Sequence, residues 1–152
     1  MHNGAVSVLD KIKPAVAREA LLLVAGLVWT GVGVMLCAWA YLWLAAEPLT
    51  AVLPAAAGLL GALAAWRFMF APIARSNIER IERAPLRACL FSFQAWRGYL
   101  IMVAMIALGA LLRHSAIPRT LLAPAYAAIG GGLLLASIGY HVRFFQLSRN
   151  AG

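Results

Sequence analysis

Apolar residues run uninterrupted by any charge over four stretches, 20–46, 48–66, 98–112 and 120–140. A bilayer-spanning helix needs about 20 mainly apolar residues. The first stretch, with 27 residues, is long enough to span with tilt. The second extends through Arg67 to Phe70, where Pro72 is expected to stop it. The third has only 15 residues, and at ~1.5 Å per residue it falls short of a ~30 Å hydrocarbon core. The fourth carries Pro124 near its start, where a proline costs least. The pattern predicts spans at about 20–46, 49–71, 98–115 and 120–142.

Polar residues punctuate these runs. Ala46-Glu47-Pro48-Leu49-Thr50 is a tight turn that makes the first two helices an antiparallel hairpin, and the last two form a second. Between the hairpins, Ser76-Asn77-Ile78-Glu79 has the form of a capping box, and Pro85 bars continuation past Ala84. Ala74, Ile78 and Ile81 share one side of this short helix, with Arg75, Glu79, Arg80, Glu82 and Arg83 around the rest. Such a basic amphipathic segment lies most often on the membrane surface, so 73–97 is expected at the interface. A docking surface for a partner subunit is the sharper alternative.

Composition turns these spans into a fold class. The chain has 152 residues, 64% hydrophobic and 12% charged, with a mean hydropathy of +0.85. Soluble domains run at about 45–50% apolar and about 25% charged, so a soluble globular protein of this length is excluded. The expected fold is all-α: a single polytopic membrane domain of four helices in two hairpins, with a short cytoplasmic amphipathic helix between them.

The net charge of +8 orients it. With the N-terminus cytoplasmic, Lys11, Lys13, Arg18, Arg67, Arg75, Arg80, Arg83, Arg87, Arg97, Arg143 and Arg149 lie inside, against Arg113 and Arg119 outside. Both termini are then cytoplasmic. The basic residues flank apolar runs and form no stripe, so they fit anionic lipid headgroups and not nucleic acid. The first run far exceeds the roughly 7–15 residues of a signal-peptide core, and a retained helix is expected.

The halves resemble each other. Arg18-x-x-Leu21-x-x-Val24-Ala25 matches Arg97-x-x-Leu100-x-x-Val103-Ala104, and Thr50-x-x-x-Pro54 matches Thr120-x-x-x-Pro124. Two spans per half would make a parallel repeat. The repeat bears on Arg97. If the third helix extends backwards through Leu86, Gln94 and Arg97 sink into the bilayer. Equating Arg97 with Arg18 instead makes it an interfacial anchor, which is the reading favoured.

Candidate chemistry is sparse. Asp10, Glu19, Glu47, Glu79 and Glu82 all fall outside the spans, which argues against a proton carrier and against paired catalytic carboxylates. His114 and His141 fall at opposite faces, too far apart to share a metal or a haem. No nucleophile elbow, zinc motif or Gly-rich phosphate loop is present. No catalytic residue, metal site or cofactor is expected, and the chain reads as a non-enzyme.

Small residues are the positive signal. Gly26, Thr30, Gly33, Cys37 and Ala40 alternate at spacings of four and three along the first helix, a seam another backbone can approach closely. Gly58, Ala62 and Ala65 do likewise on the second helix, and Ala128, Gly132 and Ala136 on the fourth. Packing within the bundle accounts for most such seams, and three of them leave room for one to face another subunit. The expected function is that of an accessory, assembly or scaffold subunit working through intramembrane helix contacts with other membrane proteins or itself. The alternative is a small oligomeric transporter or channel using Arg67, Gln94, Arg97 and a locally unwound Gly130-Gly131-Gly132, although a close-packing point is the favoured reading of those glycines.

Cys89-Leu-Phe-Ser-Phe-Gln94, Leu111-Leu-Arg-His-Ser115 and Ile117-Pro118 resemble segments of small bacterial four-helix inner-membrane proteins of uncharacterised function. The resemblance covers roughly the second half. It implies a bacterial inner membrane and supplies no activity or site.

Overall fold

The computed structural model of the chain describes residues 15–83, 87–89 and 96–150. Helix α1 (Arg18–Ala45) is followed by α2 (Val52–Ala65), a π turn (Trp66–Phe70) and α3 (Ala71–Arg83), then by α4 (Trp96–His114) and α5 (Arg119–Asn150). A three-residue strand β1 (Ala15–Ala17) pairs antiparallel with β2 (Arg87–Cys89), tying the start of α1 to the segment after α3.

Pro72 does not end the second helix. Val52–Arg83 is one helical rod of 32 residues, ~48 Å at 1.5 Å per residue. The π turn supplies the reason. The Ala71 N–H reaches back five residues to the Trp66 carbonyl. That wider turn comes just before the proline, where it relieves the ring's clash with the preceding turn and absorbs the missing donor. The expected surface helix is therefore a continuation of the second span.

Three helices among the described residues are long and apolar enough to cross a bilayer: Glu19–Ala45, Val52–Arg83 and Arg119–Asn150. The apolar part of α4, Val103–His114, is shorter.

Helix α5 lies between α1 and α2. Gly26 meets Tyr140 and His141, Gly33 meets Gly130 and Leu134, and Ala40 is buried with Leu122, Ala123 and Tyr126, so α5 runs antiparallel to α1. Gly58 meets Ala127, Ala62 meets Gly131, Phe70 meets Gly132 and Asn77 bonds to Tyr140, so α5 runs parallel to α2 and α3. Two buried clusters bracket the glycines. One holds Leu21, Leu22, Ala25, Trp29, Phe70, Ala74, Ile81, Ala136 and Tyr140; the other holds Ala40, Trp43, Leu122, Ala123 and Tyr126. In a bilayer lipid is as apolar as leucine, so close backbone approach is what holds such helices together.

Helix α4 stands apart. Val103 to Leu108 are all exposed, and six successive helical residues cover every direction around the axis. Its described ties are at the ends: Tyr99 packs against the first cluster, and Leu112 against the second. Near the second end the Tyr126 hydroxyl donates to the Gly109 carbonyl at 2.7 Å. A two-fold repeat would give α4 and α2 an interface equivalent to that of α1 with α5. The described residues form none of comparable extent.

Candidate functional site

All five seam residues of α1 face α5 of the same chain. A Cβ on Gly33 would lie 2.8 Å from Leu134 Cγ and 2.9 Å from the Gly130 carbonyl oxygen. A Cβ on Gly130 would lie 2.9 Å from Cys37 Sγ and 3.0 Å from the Cys37 nitrogen. Gly132 is pressed against Phe70 and Ala65, and Ala136 belongs to the buried cluster beside Phe70. These helix-interface candidates are occupied internally, by helices of the same chain.

The three glycines are not a break. They lie within the continuous α5, and their missing side chains admit helices on two sides: Gly130 toward α1, Gly131 and Gly132 toward α2. The premise of an unwound glycine run does not hold.

At the end of the bundle shared by the start of α1 and the ends of α3 and α5, polar groups join the helices. Thr30 Oγ1 donates to the Gly26 carbonyl at 2.8 Å, so it accepts from His141 Nε2 at 3.1 Å. That hydrogen-bond pattern assigns the proton to Nε2. Asn77 Nδ2 donates to the Tyr140 hydroxyl at 3.2 Å, with both residues buried. Arg143 pairs with Glu82, fastening α5 to α3. His141 is thus a bond between helices and not a bare polar helix end. The sequence held a signal for it: Gly132, Ala136 and Tyr140 continue one face at spacing four, and His141 adjoins that face.

Of the polar candidates, Gln94 and the Arg97 side chain lie outside the described residues. Arg67 is described, and it does not stand at a loop. It falls between Ala62, which meets Gly131, and Phe70, which meets Gly132. That puts it level with the middle of the charge-free 120–140 run. Its side chain is exposed on the π turn, its guanidinium carbon 5.9 Å from the Phe68 ring centroid. A charge at mid-bilayer costs roughly 2.5–3.5 kcal/mol on insertion scales, and such residues usually face the bundle interior. Arg67 faces outward. Exposed Arg119 lies at the opposite end, and exposed Arg75, Arg80, Arg83 and Arg149 lie toward the shared polar end. An open hollow there is lined by Arg143, Gln146, Arg149 and Asn150.

Among the described residues no three of His, Cys, Asp and Glu converge on one point. No family model, curated protein or solved structure matches this chain.

Proposed function

We propose that this chain is a non-enzymatic accessory, assembly or scaffold subunit of a bacterial inner membrane, acting through intramembrane helix contacts. The arginine-rich end, with both termini, lies on the cytoplasmic side against anionic headgroups, as the bias of charge favours. Helix α4 completes a second hairpin with α5 and crosses the bilayer as the third of four spans.

The observation that carries this reading is the bare middle of α4. The seams of α1, α2 and α5 are consumed by one another, while Val103 to Leu108 are all exposed. A helix whose described ties lie at its ends leaves its exposed middle open to a neighbour. The filled contact plane around Gly33, Gly130 and Gly131 also counts against a path through a single bundle.

The test is site-specific photocrosslinking in intact membranes, with the probe at Ile106 on α4 or at Ala123 in the core. Discrete protein adducts are expected from Ile106 and none from Ala123. Adducts to lipid alone at Ile106, or solute uptake into liposomes by the purified protein, overturn the reading.

A further inference from the structure

We infer that the outer face of α2 around Arg67 docks a transmembrane helix of another protein that carries an aspartate or glutamate at mid-bilayer depth. The inference rests on the subunit reading above and names the chemistry of one partner.

Three observations lead there. First, depth: Arg67 lies between residues that meet Gly131 and Gly132, at the centre of the apolar run of α5. The first charged residue toward the nearer end is Arg75, eight residues on and therefore about 12 Å away. That distance exceeds the reach of one arginine side chain. Direction adds to it, because helical side chains lean toward the helix N-terminus. For α2 that lean is toward Val52 and away from the nearer headgroups.

Second, the surroundings: Leu53, Leu60, Leu63 and Phe68 on the same rod are exposed at 80%, 70%, 54% and 80%. The face from Leu53 to Phe68 is apolar and uncovered, and Arg67 is the one charge on it. The contact described for Arg67 is the ring of its own neighbour Phe68, which stabilises a cation without neutralising it.

Third, this chain cannot supply the counter-charge at that depth. Its five acidic residues are Asp10, Glu19, Glu47, Glu79 and Glu82, none of them inside an apolar run. A second copy would bring another Arg67 or a leucine face, so the complement must come from a different chain. A guanidinium in hydrocarbon is matched best by a carboxylate, whose two oxygens accept its paired N–H donors.

The experiment reconstitutes the full chain in phosphatidylcholine vesicles with labelled single-span Leu/Ala helices bearing Asp, Leu or Lys at the centre. Association is read by energy transfer. The Asp helix is expected to bind about tenfold more tightly than the Leu helix, the scale of one interhelical polar contact in model peptides. The Lys helix should not exceed the Leu helix. Arg67→Leu should abolish the preference, Arg67→Lys should keep most of it, and Arg67→Glu should transfer it to the Lys helix. Equal binding of Asp and Leu helices, or a preference that survives Arg67→Leu, overturns the inference. So does loss of the preference when phosphatidylglycerol is added, since headgroups would then hold the guanidinium. Failure here leaves the Ile106 crosslinks of α4 untouched, so the two proposals fail separately.

Discussion

Gly31 and Gly33 sit two residues apart on α1, and alanine at each should act in opposite directions. A Cβ at Gly31 meets nothing within 4 Å. There the substitution only removes the conformational freedom of glycine, worth up to about 1 kcal/mol in a helix interior. At Gly33 the new carbon would sit 2.9 Å from the Gly130 carbonyl oxygen, a backbone atom that cannot swing aside, and 2.8 Å from Leu134 Cγ. Both gaps are roughly an ångström shorter than an ordinary carbon contact, so α1 and α5 must part. Overpacking of this kind costs about 1–3 kcal/mol, offset by the same helix-propensity gain, leaving a net loss of up to about 2 kcal/mol. Separation also loosens Gly130 against Cys37, so the loss should fall toward the upper end. Gly33→Leu should cost more again. The measurement is the denaturation midpoint of the purified protein in mild detergent, followed by the emission of Trp29 and Trp43, which lie in the two clusters. Gly31→Ala should match or exceed wild type and Gly33→Ala should fall below it. If the two variants are equally stable, the seam does not pack on α5 as described.

Other expectations follow from the same contacts. Single cysteines at Ser76 and Ser115, in a background without Cys37 and Cys89, should label from opposite sides, with Ser115 reached by an impermeant thiol reagent in intact cells and Ser76 only after permeabilisation. Labelling of Ser76 alone from outside would reverse the orientation. Thr30→Val and His141→Ala should each destabilise the bundle, with a coupling between them of about 0.6–1.7 kcal/mol in a double-mutant cycle; additive losses would deny the bond. Glu82→Gln should destabilise the bundle only slightly and matter less in high salt, because the pair with Arg143 is partly open to solvent; a large loss that salt does not change would deny this. Arg67→Leu should leave monomer stability intact while easing insertion, read as a rise in the glycosylation-scored inserted fraction of the second span.

Much of this architecture is written in runs and spacings. Four apolar stretches without a charge mark the helices, and the seams at spacings of three and four mark faces that pack. Periodicity names a face but not its partner. The seams of the second and fourth helices meet each other: Gly58 touches Ala127, and Ala62 touches Gly131. The seam of the first helix lies on α5 too, so one helix serves both neighbours through successive glycines. No local pattern shows which helices a seam will meet, because that lies only in long-range contact. The tie between His141 and Thr30 was hidden for a similar reason. A histidine near a helix end looks like an interfacial group until a second helix is brought beside it.

Arg67 shows how a single backbone feature changes a functional reading. A helix assumed to stop at Pro72 places Arg67 one turn from its end, where a charge is an anchor and adds to the cytoplasmic count. The π turn lets the rod continue to Arg83, and its register against α5 is then set by Ala62 on Gly131 and by Asn77 on Tyr140. Those two contacts fix the level of Arg67 against α5, since moving the rod by one turn would drive Ala62 off Gly131. The charge bias behind the proposed orientation persists without Arg67, because ten basic residues, Lys11, Lys13, Arg18, Arg75, Arg80, Arg83, Arg87, Arg97, Arg143 and Arg149, still oppose Arg113 and Arg119. What changes is the meaning of the charge. Exposed on a wide turn beside the apolar run of α5, it would be a cost in a bilayer that folding of this chain alone does not recover, and the proposed partner with the opposite charge is the simplest structure that would recover it.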